Sequence, residues 1–191
     1  MVIGYENPTP SHDRSWKDLI AIALDEAMTA LEESFHDLSH QQVWHRPLPD
    51  RHSIGTMVMH CLANLNDYGC WVQTNEGVEE TAGEPWFDMW KNDPGVLDAE
   101  QKGRQLPEPE QMVAWLHRVR QKVTEGLATA TEADLRGPRA GEDWCRQFGR
   151  TTGDAYARTV FHTMAHVRQI WCLRGVMGAY GATNWPFQHY A

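Results

Sequence analysis

His162 and His166 stand four residues apart in an apolar-periodic segment, Thr159-Val160-Phe161-His162-Thr163-Met164-Ala165-His166-Val167-Arg168-Gln169-Ile170. On a helix the two imidazoles leave the same face one turn apart, with Cβ atoms about 5–6 Å from each other. That separation lets two ring nitrogens reach one metal ion. A third histidine, His60, lies on a separate periodic segment that begins near Ser53. From across a helix bundle it can supply a third nitrogen. Three neutral imidazoles leave coordination positions free, which is the pattern of catalytic rather than closed structural metal sites.

Spacing alone does not decide the matter. With 10 His in 191 residues, about half a His-x-x-x-His pair arises by chance. A second pair, His36 and His40, is present; we read it as the polar end of the first helix, where such side chains complement the helix dipole. The competing reading of His162 and His166 is a pair of hydrogen-bonded core histidines. Ile170, Leu173 and Met177 continue their face at helical spacing, so the rings are expected to point inward. Buried imidazoles need acceptors or a metal, and a metal satisfies both rings at once. Taken alone, His60 reads as a partly exposed residue on the flank of its helix, on the side of Met57, Asn64 and Trp71.

The elements that must hold these residues follow from periodicity and punctuation. A first helix is expected from Ser11 or Ser15 to about Ser39, with Leu19, Ile22, Ala23, Glu26, Ala27, Ala30, Leu31, Ser34 and Phe35 as its mostly apolar stripe and Ser15 with Asp18 as a capping box. Two prolines break the loop His45–Asp50. A second helix runs from Ser53 to about Thr74, with Ile54, Met57, Val58, Cys61, Leu62, Leu65 and Tyr68 as core residues. Residues 75–108 form a long connection rich in Gly, Pro and acids, with a short helix around Pro85–Lys91. Connections of that length are uncommon unless they are functional or cross a bundle. A third helix spans about Glu108 or Glu110 to Thr131, its apolar face made by Met112, Val113, Leu116, Val119, Val123 and Leu127. Residues 132–151 read as a loop, with a short strand at Trp144–Phe148, and a fourth helix runs from Thr152 to about Met177. The tail Gly178–Ala191 is expected to fold back over the bundle. The fold class is therefore all-α, a four-helix bundle with a long crossover between helices two and three. It forms a single domain over 1–191 with its core at about 11–180.

Bulk properties narrow the function classes. Hydrophobic residues make up 41% and charged residues 23% of the chain, a globular balance that supports one sizeable core. The net charge of -9 and the lack of a basic stripe disfavour nucleic acid and anionic membranes as partners. No apolar run approaches the ~18 residues of a membrane span, and the first residues lack signal-peptide character. Cys61, Cys70, Cys145 and Cys172 form no Cys-x-x-Cys pair, so reduced thiols and a cytoplasmic location are expected. Several of the nine Trp, among them Trp44, Trp71, Trp86, Trp90, Trp144 and Trp185, fall near helix ends or in loops. There they either anchor loops to the core or line a pocket mouth.

Trp44, Arg46-Pro47 and Ser53-Ile54-Gly55 lead into the helix that carries His60, and the last helix carries His162-x-x-x-His166-x-x-Gln169-Ile170. Over roughly residues 11–180 this arrangement resembles the DinB-like, YfiT-like superfamily of four-helix bundles. The resemblance implies an up-down-down-up bundle and a divalent metal, nickel or zinc, held by His60, His162 and His166. It also implies a homodimer. Its characterised members include thiol-dependent S-transferases and a mycothiol-dependent maleylpyruvate isomerase.

An open site of this kind can bring the pKa of bound water to near 7 for hydrolysis, or bind a low-molecular-weight thiol as the thiolate. Asn64, Asp67 and Gln169 are the candidates to orient the rings through hydrogen bonds. Cys61 points about 100° away from His60 on a helix, and Cys172 lies off the histidine face, so neither is expected as a ligand. No general base stands out. The leading reading is a metal-dependent S-transferase acting with a thiol on a small-molecule substrate. A metal-dependent hydrolase and a non-enzymatic protein that binds metal or a small ligand are the alternatives.

Overall fold

Short hydroxyl side chains start most of the helices. Ser15 accepts from the Asp18 amide at 3.1 Å while Asp18 accepts from the Ser15 amide at 3.0 Å. The same reciprocal cap recurs at Ser39 with Gln42, Thr131 with Asp134 and Thr151 with Asp154. Each cap satisfies backbone donors that a helix start leaves without partners. The computed structural model describes residues 14–47, 52–66, 106–138 and 151–179. Within them lie α1 (Trp16–Glu33), α2 (His40–Trp44), α3 (Ile54–Asn64), α4 (Pro109–Thr129), α5 (Glu132–Arg136) and α6 (Thr152–Val176). The described residues contain no strand; Pro138 and Thr151 form an isolated antiparallel bridge. The C-terminal part of expected helix two beyond Asn66, the Pro85–Lys91 helix, the Trp144–Phe148 strand and the tail beyond Ala179 lie outside the described residues.

Caps explain two departures from the sequence expectation. The first helix does not continue to Ser39. It stops at Glu33, where the buried Ser34 hydroxyl donates to the Leu31 carbonyl at 2.6 Å. The chain then turns, and Ser39 starts α2 anew. His36 and His40 are therefore not two turns of one helix. The stretch 132–151 is likewise not all loop, because Thr131 and Asp134 cap the one-turn helix α5.

The buried stripe of α1 is Ile20, Leu24, Ala27, Met28, Leu31, continued by Phe35. Leu19 and Ile22, expected in the core, are 47% and 39% exposed. The helix is rolled so that Ile20, Leu24 and Met28 fill the space against α4 and α6. On the other elements the expected apolar faces are largely buried: Val58, Cys61, Leu62 and Leu65 around α3, Met112, Leu116, Val119 and Val123 on α4, Val167 and Ile170 on α6.

Polar contacts fix how α1 lies against its neighbours. Near its start the Lys17 ammonium donates to the carbonyls of Ala128 and Ala130 at the far end of α4. Near its end Glu32 meets His117 in the first half of α4 at 3.0 Å. α1 and α4 are thus antiparallel. α1 and α6 run the same way: the Trp16 indole lies beside Gly153, and at the other end Arg174 reaches Ser34 and Asp37. Arg174 is fully buried. Its guanidinium donates to both Asp37 carboxylate oxygens at 2.7 and 2.9 Å, to the Ser34 carbonyl at 3.0 Å and to the Ala179 carbonyl at 2.8 Å. The last contact depends on the end of α6, where Gly178 adopts φ 67° and folds the chain back over the last turn. Hydrogen bonding to Arg174 holds the Asp37 carboxyl below the usual carboxylate range.

α3 is placed by a close approach. Trp44 lies flat on Gly55, and a Cβ there would sit 2.7 Å from the ring. The Trp44 indole donates to the Pro107 carbonyl at 3.0 Å, which ties the start of α3 to the start of α4.

Candidate metal centre

α3 and α6 bring the three histidines together. The ring centroids of His60, His162 and His166 stand 4.7, 4.9 and 4.6 Å apart, close to an equilateral triangle. One nitrogen from each ring lies within 4.8 Å of the others. The Nε2 atoms of His60 and His162 face one another at 2.9 Å. Tetrahedral coordination at Zn–N distances of about 2.0–2.1 Å separates ligand nitrogens by about 3.4 Å. The His60 and His162 nitrogens therefore need to spread by roughly half an ångström to admit an ion. All three side chains are half-buried, so one side of the triangle stays reachable.

His166 shows which of its nitrogens is available. Its Nδ1 donates to the Gln169 Oε1 at 2.8 Å, which places the proton on Nδ1 and leaves the Nε2 lone pair for a ligand. Gln169, a candidate to orient a ring, is thus hydrogen-bonded to His166. The Oδ1 of Asn64, a second candidate, is buried without a hydrogen-bond partner among the described residues. Asp67 lies outside the described residues.

The electrostatics favour unprotonated rings. His162 is held down to about 4, first by burial and then by the neighbouring His60, His166 and Arg158. His166 is lowered by burial and by His52, partly offset by its bond to Gln169. Both rings are neutral at pH 7, the state that binds a metal. Besides the His60–His162 contact, His162 Nδ1 is buried without a hydrogen-bond partner among the described residues. A divalent ion suits this donor set of converging, half-buried, borderline-soft imidazole nitrogens.

Cys61 is buried, and desolvation pushes its thiol far above the usual range. It is an inert core residue, as its direction on the helix implied. Cys172 is exposed and lies on another face of α6. Sequence reasoning passed over Arg158, which acts on His162. The available signal was its position one turn ahead of His162, the same spacing that singled out His166. No helix among the described residues is long and apolar enough to cross a membrane.

The three histidines and Gln169 fall inside a single matched region. No curated protein and no solved structure gives a match. The family model of the DinB superfamily matches residues 23–170, from the middle of α1 to the last turns of α6, and the chain belongs to that superfamily.

Proposed function

We propose that this protein is a divalent-metal-dependent enzyme, with nickel or zinc held by His60, His162 and His166, that transfers a low-molecular-weight thiol to a small electrophilic substrate. The observation that carries the reading is the triangle of half-buried imidazoles, with His162 and His166 held unprotonated. A bound divalent ion supplies Lewis acidity that keeps a thiol ionised at neutral pH. The chain's own contribution is to hold the rings neutral by burial, to fix His166 through Gln169, and to leave room for a reactant. In the reaction the thiol sulfur forms a bond to carbon, the leaving group departs with its electron pair, and the thiol proton passes to solvent.

The surrounding architecture in this reading is an up-down-down-up four-helix bundle. The start of α3 beside the start of α4 and the parallel course of α1 and α6 support it. A homodimer in the cytoplasm completes the proposal.

The test is metal analysis of untagged protein purified without chelator, followed by turnover of an electrophile with several thiols. Bound nickel or zinc, with thiol-dependent turnover lost in His162→Ala, is the expected result. Turnover that needs the metal but no thiol would make the protein a hydrolase. Protein with no affinity for either metal would overturn the reading altogether.

A further inference from the structure

We propose that the groove between α1 and α4 is a second binding site, for a small apolar molecule that carries a positive charge. The inference is independent of the metal reading, since the groove shares no residue with the histidine triangle.

Two cation contacts between the helices fix the groove near its ends. The Lys17 ammonium donates to the Ala128 and Ala130 carbonyls at 3.2 and 3.0 Å. The Arg120 guanidinium donates to the Asp25 carbonyl at 3.1 Å and to the Thr29 hydroxyl. On α1 the two contacts stand roughly two to three turns apart. Between them short side chains line the helices, Ala21 on α1 and Thr124 on α4, with Ala128 beside Lys17. A groove of about 530 Å³ results, a volume within the range of small-molecule sites. Its floor is apolar, made by Leu24, Met28, Val123 and Leu127. Ile22, which the roll of α1 leaves 39% exposed, carries that surface to the lip. The span from Lys17 to Met28 is about 16 Å along the helix, long enough for a chain of eight carbons with a charged head.

The charges of the lining set the sign of that head. Asp18, Asp25 and Glu26 line the groove against the single cation Lys17. Arg120 pairs with Asp25 at 3.3 Å, and the Lys17 ammonium is turned onto the two carbonyls at the end of α4. Three carboxylates against these two cations leave the groove acidic. All three carboxylates belong to α1, whereas Thr124 and Ala128 on the α4 side are neutral. A cationic head is therefore drawn to the α1 edge, near the exposed Glu26, while its chain lies over the apolar floor. The net charge of -9 attracts the same sign of ligand from a distance.

The experiment is isothermal titration calorimetry of the full-length protein, metal-free and zinc-loaded, with n-octyltrimethylammonium, 1-octanol and octanesulfonate. A quaternary ammonium cannot ligate zinc, so coordination at the histidines does not enter. One-to-one binding of the cation is expected, about tenfold tighter than 1-octanol and the same with and without zinc. The sulfonate should bind most weakly. Ala128→Phe sets a ring in the groove and should abolish binding of all three. Glu26→Gln should bring the preference for the cation down to about threefold, with 1-octanol binding unchanged. Equal affinity for cation and alcohol, or a preference that survives Glu26→Gln, overturns the proposal. So does binding that survives Ala128→Phe, which places the ligand elsewhere. A dimer that Ala128→Phe disperses, with none of the three compounds bound, makes the groove an interface between copies and overturns it as well.

Discussion

Acidification of the metal-free protein should destabilise it through His162, and the size of the effect follows from the site. In the unfolded chain His162 takes a proton at the ordinary value of 6.5, whereas in the fold burial and its neighbours hold it to about 4. Above pH 6.5 both states are neutral and the ring costs nothing. Between 6.5 and about 4 the unfolded state binds a proton that the native state refuses, so stability falls as pH falls. Below about 4 both states are charged and the loss is complete. A difference of about 2.5 pH units corresponds to a ceiling of about 3.4 kcal/mol. The ring is only half-buried, and solvent screening roughly halves that figure. Between pH 7.5 and 4.5 the expected loss from His162 is then about 1.3 kcal/mol.

Urea unfolding of metal-free protein at the two pH values, compared with His162→Gln, isolates this contribution. Glutamine keeps a polar side chain there and removes the titration. His166 shifts in the same direction and is present in both proteins, so it cancels to first order. Asp37 does not interfere, since its carboxyl is held below the usual range and its contribution is lost only at still lower pH. The native protein should lose about 1.3 kcal/mol more than the variant over this interval. Identical pH slopes for the two proteins would refute the claim that the fold keeps His162 unprotonated.

Three further outcomes are expected. Gln169→Ala frees His166 Nδ1 and should weaken zinc binding about tenfold in a competitive chelator titration, with no change in the fold by circular dichroism. Arg174→Met removes the partner of Asp37 and the donors to Ser34 and Ala179; a loss of about 3 kcal/mol in urea unfolding is expected for a broken buried pair. Gly55→Ala drives a methyl to 2.7 Å from the Trp44 ring and should cost about 1–3 kcal/mol, read as a lowered Tm.

Much of the arrangement was legible because it depends on local rules. Ser15, Ser53 and the run from Thr152 marked helix starts through cap chemistry, and α4 and α6 end within two residues of where periodicity placed them. The three histidines were legible because helical spacing fixes two of them relative to each other. What failed depended on packing or on competing local signals. Leu19 and Ile22 fit a 3.6-residue stripe as well as Ile20 and Leu24 do, and only contact with α4 and α6 selects the roll. Ser39 and Thr131 carried cap signals, but each lay at the end of a longer pattern that obscured it. Arg174 reads as an ordinary cationic helix end; its burial depends on Asp37, far away in sequence, and on the turn at Gly178.

The same roll on α6 bears on the choice between core histidines and a binding site. The fully buried stripe of this helix runs through Ala155, Thr159, Thr163, Val167, Ile170 and Arg174, and it leaves His162 and His166 at its edge, half-exposed. Residues that only fill a core would sit on the stripe. Gln169 serves His166 and the His60 and His162 Nε2 atoms pair with each other, while His162 Nδ1 is buried without a partner among the described residues. Three imidazoles that converge at the rim of a well-packed helix, with His162 and His166 held unprotonated, are better explained by a cation that replaces those protons than by the needs of the core.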